Sequence, residues 1–175
     1  MRVLTPLIIL GLLLSISAVV AADEWYLDKS TVAKRFDKGT REVSVAGAYV
    51  AEDGSLDSTW NLFASYGVFV AERVQVGIQW WGDEDVQSVA GFGTLHFGDA
   101  TSQFVPFVSA GAGYRFLDAG SENARGADDD FVYSVGGGVK YYTSPDSSVF
   151  LKYMFAESDD VDDDYVMLGI SKVLH

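Results

Sequence analysis

From Arg41 to Leu174 the chain repeats one pattern: a run of roughly ten residues in which bulky apolar side chains alternate with small or polar ones, then a connection that is short and long in turn. Alternation at period two belongs to a strand whose two faces meet unlike surroundings. Val74, Val76, Ile78 and Trp80 alternating with Gln75, Gly77, Gln79 and Trp81 is the clearest instance. The short connections are Ala71-Glu72-Arg73, Gly98 to Gln103 and Thr143 to Ser148. The long ones hold most of the acid: Glu52, Asp53 and Asp57, then Asp83 to Asp85, Asp118 to Asp130, and Glu157 to Asp164. Eight such runs joined in this way predict an all-β fold, an eight-stranded antiparallel up-and-down barrel of the transmembrane kind. Closure of an even number of strands leaves no edge in lipid, where each unpaired backbone group costs several kcal/mol.

Parity says which face meets which surroundings. A soluble barrel could carry the same alternation inside out, with its apolar set buried and its polar set in water. Here one set is rich in Tyr, Trp, Val, Leu and Phe, and the other in Gly, Ala and Ser. Bulky side chains suit a lipid-facing band with aromatics at its borders, and small ones suit a narrow lumen. Composition agrees: 18 glycines with only three prolines is not a disordered mixture, and 14% aromatic residues is more than a soluble domain needs. The outward set then includes Val45, Leu62, Ile78, Val135, Leu168 and Ile170, and the inward set Ser65, Gln79, Thr94, Ser134 and Gly138.

The N-terminus reads as an address. Arg2, the apolar run Val3 to Val20 and the end Val20-Ala21-Ala22 predict an export signal, residues 1–22, cut after Ala22. An uncleaved single-span anchor is the competing reading, since the run is just long enough to cross a bilayer. Residues 23–40 form a lead-in on the periplasmic side, either a short helix or irregular, whose Lys29, Lys34, Arg35 and Lys38 could touch phospholipid headgroups. Residues 41–175 are the barrel domain.

Charge then divides the barrel into regions. The formal net charge is −13, and an even strand count puts both termini and the short turns on the periplasmic side, so the acid faces outward. Acidic outer loops fit a solvated rim, or a surface for divalent cations or cationic molecules. Neither Asp128-Asp-Asp130 nor Asp159 to Asp164 has the spacing of a dedicated calcium loop, so no metal site is assigned. Four charged residues fall on the inward parity: Glu42, Lys140 and Lys152 towards the periplasmic half, and Arg115 near the outer end. Buried charges need partners. The expectation is a Glu42 to Lys140/Lys152 cluster that plugs or gates the lumen, with Arg115 meeting rim acids such as Asp57 or Glu84.

The chain has no cysteine, which removes disulfides and thiolate chemistry. His96 has no serine or acid placed to orient it, so it is expected to be structural and partly exposed near the periplasmic rim. No catalytic residue and no cofactor are assigned, and a strongly acidic chain is a poor partner for nucleic acid.

The stretch Pro106-Phe-Val-Ser-Ala-Gly-Ala-Gly-Tyr-Arg-Phe116, with Leu168-Gly-Ile-Ser171 near the end, resembles the small outer-membrane β-barrel superfamily, the OmpA- and OmpX-like and porin-like barrels of Gram-negative envelopes. The resemblance spans about residues 41 to 174. It implies residence in the cell outer membrane as a monomer, with outer-membrane lipid and lipopolysaccharide around it and the outer-membrane assembly machinery as partner. It leaves the task open, because that superfamily includes adhesins, anchors, small pores and enzymes. A non-enzymatic structural or surface-interaction role ranks first, a narrow channel or transporter for small solutes second, a lipid A-modifying enzyme third. The family's last strand usually ends on an aromatic, whereas this one ends Lys172-Val-Leu-His175 with Lys172 on the outward parity, where it has to snorkel.

Overall fold

The computed structural model describes residues 34–51, 59–82, 86–117, 130–158 and 162–175. The export segment 1–22, most of the lead-in, and the loop acids Glu52, Asp53, Asp57, Asp83 to Asp85, Asp118, Glu122, Asp128 and Asp129, Asp159 and Asp160 lie outside them.

Eight strands follow one another: β1 (Arg41–Ala51), β2 (Thr59–Ala71), β3 (Val74–Gly82), β4 (Val86–His96), β5 (Phe104–Leu117), β6 (Asp130–Tyr142), β7 (Ser147–Glu157) and β8 (Asp162–Leu174). Each pairs antiparallel with its neighbour in sequence, and β8 closes on β1, Ser44 lying opposite Ser171 and Val45 opposite Ile170. The barrel expected from the alternation is therefore the barrel observed. At its two acidic edges the sheet goes further than parity suggests: Asp130 opens β6, and Asp162 to Asp164 belong to β8 rather than to a loop.

Side chains sort by parity as expected. The outward set is exposed, with Leu62, Ile78, Leu168 and Ile170 each at least 60% accessible. A protein facing water does not wrap itself in a continuous sleeve of aliphatics, so this exterior is a lipid-facing one and the barrel spans a membrane. Aromatic pairs border the sleeve at both ends. Tyr49 with Trp60 and Tyr114 with Phe131 stand edge to face at the loop end, and Phe104 lies beside Tyr141 at the turn end.

The core is inside the barrel. One apolar cluster fills the half nearer the long loops, with Phe63, Trp81, Phe150, Met154, Tyr165 and Met167 at its centre. A second closes the turn end: Phe36, Phe69, Val105, Tyr142 and Val173. A lumen of small residues is thus only part of the picture, because large rings also point inward. Glycines make the room. A Cβ on Gly77 would stand 2.9 Å from the Phe92 ring, and one on Gly169 would stand 2.7 Å from that of Phe150. Each ring lies over a neighbouring strand's bare backbone, so the many glycines and the many aromatics are two halves of one packing arrangement.

Candidate functional site

Between the two apolar clusters lies a polar belt, and its chemistry follows from four strands meeting across the lumen. Glu42 stands near the start of β1, Gln75 on β3, His96 at the end of β4 and Lys140 near the end of β6, all close to the turn end and all buried. Lys140 Nζ lies 2.5 Å from Glu42 Oε1 and 3.1 Å from His96 Nε2. Gln75 donates its amide N–H to the same carboxylate oxygen at 3.4 Å. An ammonium has only protons to offer, so His96 Nε2 must accept. The proton of the neutral ring then sits on Nδ1, 3.4 Å from the Arg73 carbonyl that also receives the His96 backbone N–H at 2.9 Å. Carboxylate, ammonium and imidazole thus form one directed chain of hydrogen bonds running from β1 to the β2–β3 turn.

The expected charge cluster forms only in part. Glu42 joins Lys140, but Lys152 on β7 stays apart, its Nζ 5.0 Å from the centre of the Phe63 ring. Arg115 does find a rim acid, Asp163 of β8 at 2.6 Å, with Ser158 Oγ at 3.3 Å. Asp57 and Glu84 lie outside the described residues. Tyr165 donates to the same Asp163 oxygen at 3.0 Å, tying the loop end of the lumen together.

His96 departs from its expectation. It is 1% accessible, not partly exposed, and the reason is Phe36. The lead-in turns back into the barrel mouth so that Phe36 stacks on His96 with ring centres 5.2 Å apart and leans on Phe69 at 5.4 Å. Arg35 follows it in, lies 3.5 Å over the Tyr142 ring, and donates to the carbonyls of Pro145 at 3.0 Å and Ser102 at 3.1 Å, one from each of the other two turns. Burial pulls the guanidinium's pKa below its ordinary value, against the pull of Tyr142, Glu42 and Asp146. Residues 34–40 are neither a helix nor a passive linker: two tight turns pin them to β2, Gly39 donating to Phe69 O at 2.7 Å and Phe69 donating to Thr40 O at 2.8 Å. Scattered Arg35 and Phe36 gave no period to read, so sequence reasoning had no signal for this plug.

Lys172, the outward lysine of the last strand, lies at the turn end as snorkelling requires. Its Nζ is 2.5 Å from Asp146 Oδ2 in the β6–β7 turn and 3.3 Å from Ser147 Oγ. Lys172 and Ser144 together hold the Asp146 carboxyl down at about 2.

No family model matches the chain, and no curated protein matches it. Solved structures do. The N-terminal β-barrel domain of Pseudomonas aeruginosa OprF aligns with a TM-score of 0.58 at 17% identity, over 78% of this chain and 98% of that one. The outer membrane protein OprG of the same organism gives 0.60 at 12% identity over 81% and 99%, and Neisserial surface protein A gives 0.57 at 13% over 76% and 95%. The fold is that of the small eight-stranded outer-membrane barrels. A de novo designed transmembrane β-barrel fits as well, at 0.58 and 17% identity over 79% and 98%, so this likeness reports architecture and no task.

Proposed function

We propose that this protein is an integral barrel of the cell outer membrane with a closed lumen, non-enzymatic, serving a structural or surface-interaction role through its acidic outer loops. The observation that carries the reading is that, among the described residues, side chains block the interior at both ends and across the polar belt, leaving a small cavity of about 30 Å³ between them. Arg35 and Phe36 cap the turn end, the Glu42–Lys140 pair crosses the lumen just inside them, and the Trp81, Met154 and Met167 cluster with Arg115–Asp163 fills the loop end. An eight-stranded barrel is just wide enough for its own side chains to fill, and here they do. A wall given over to lipid and an interior given over to packing leave the loops as the face that can meet a partner. Their acid suits divalent cations or cationic molecules bridging to lipopolysaccharide. The barrel acts as a monomer inserted by the outer-membrane assembly machinery.

Planar-bilayer recording of refolded protein tests this directly. The expected trace shows no unitary steps above background; reproducible steps would replace the reading with a narrow solute channel. Lipid A mass profiles with and without expression should coincide, and a new lipid A species would make the protein a lipid-modifying enzyme instead.

A further inference from the structure

Among the described residues, Lys152 is the one lumenal lysine that the ion-pair network leaves out. It is 6% accessible, and among the described residues no carboxylate and no hydrogen-bond acceptor meets its ammonium. What stands over it is the face of Phe63, and the charge that acts on it is the like charge of Lys140. Glu42, the one carboxylate lining this space among the described residues, takes both Lys140 and Gln75 on Oε1, while its buried Oε2 has no partner and does not pair with Lys152. Two ammonium groups and one carboxylate therefore line the same space, which keeps an uncompensated positive charge inside a membrane-spanning wall. Buried charge in that position is costly unless something of opposite sign shares the site.

The space exists. A cavity of about 30 Å³ lies between these groups, lined by Glu42, Lys140 and Lys152 together with hydroxyls and amides from Ser44, Ser65, Gln75, Gln79 and Thr94. That is room for one small ion or a few water molecules, and too little for an organic acid. Hydroxyl and amide protons with an ammonium are the donors a halide takes, and Phe63 and Phe107 close the apolar sides.

We propose that the lumen holds a single monatomic anion, chloride in the cell, bound at Lys152 and enclosed as the barrel folds. It balances Lys152 as Glu42 balances Lys140, so that the polar belt is neutral in pairs. The enclosure rests on the closed-lumen reading, and unitary conductance would overturn that reading, whereas the anomalous peak at Lys152 tests the anion itself.

Bromide is the probe. Protein refolded and crystallised in sodium bromide, with bromide present from the start because both ends of the lumen are filled, should show an anomalous peak within contact distance of Lys152 Nζ. Crystals of Lys152→Met should lack it. In solution, the urea midpoint of the wild type should rise when sodium gluconate is replaced by sodium chloride at equal ionic strength, and that rise should vanish in Lys152→Met, whose folding is checked by the heat-dependent gel shift. Should Lys152→Met fail to fold, the wild-type anomalous map decides alone. A map with water or nothing at the site, or lysine NMR showing a neutral amine at position 152 at pH 7, would overturn the proposal.

Discussion

Glu42 and Lys140 meet at 2.5 Å inside a wall whose outer face is lipid, and each is satisfied by the other more than by anything else nearby. Removing one partner leaves the other charged and buried, which costs about 3–5 kcal/mol in comparable sites, whereas replacing both with apolar residues of similar size is often neutral. Lys140→Met is thus expected to destabilise the barrel by roughly 3 kcal/mol in urea titrations from lipid vesicles, and Glu42→Leu with Lys140→Met to recover most of it. If the double variant is no better than the single one, the pair is not acting as a pair. Gly39 makes a different kind of demand. Its φ of +93° lies in the left-handed region, while a Cβ there would meet nothing within 4 Å, so conformation alone selects glycine. Gly39→Ala should cost about 1 kcal/mol by the same titration.

The lead-in shows how a short segment becomes an element without regular structure. Phe36 is 2% accessible and in ring contact with Phe69, His96 and Tyr142, which makes it the stopper of the turn end. Phe36→Ala should lower stability by about 3 kcal/mol, the usual cost of deleting a buried ring, and speed deuterium uptake at the His96 and Phe69 amides. Loss of stability without faster exchange there would place the role of Phe36 elsewhere. The last strand depends on a second local device, the Lys172–Asp146 clamp between β8 and the β6–β7 turn. Folding lowers the Asp146 carboxyl from 3.8 to about 2, so its contribution is complete above about pH 4 and is lost as pH falls towards 2. Asp146→Asn should therefore reduce the dependence of unfolding on acidity in that window, while at pH 7 the exposed pair adds little.

For the molecule as a whole, the decisive boundary is the one between lipid and lumen, set by a parity that holds around all eight strands. Ile78 and Gln79 are adjacent on β3, yet the first is 62% accessible on the outer face and the second 3% accessible inside, where its amide donates to Ser134 Oγ at 3.1 Å. A charge at Ile78 must sit in the hydrocarbon, so Ile78→Arg should cost about 2–4 kcal/mol in vesicles, whereas the same change at Leu174, at the turn-end border, should cost about 1 kcal/mol or less. Equal costs at the two positions would mean that the outer apolar sleeve does not face lipid.

Much of this was legible in the sequence because a strand's side-chain period is local: residues i and i+2 share a face whatever the strand pairs with. That local rule sufficed for the strand order, the lipid and lumen faces, and the inward placement of Glu42, Arg115, Lys140 and Lys152. What it could not supply was who meets whom across the lumen. Glu42 and Lys140 are 98 residues apart, Arg115 and Asp163 48, and their pairing depends on strand tilt and side-chain reach, which no spacing encodes. The same holds for the plug. Arg35 and Phe36 lie in a segment without periodicity, and only the closed barrel offers them a cavity lined by rings and turn carbonyls. Alternation by itself determined a membrane barrel and its sidedness, since lipid sorts side chains one strand at a time. The tertiary structure alone decided how the barrel is stoppered, which charges are paired and that Lys152 is left over, because those are contacts made only when eight strands close.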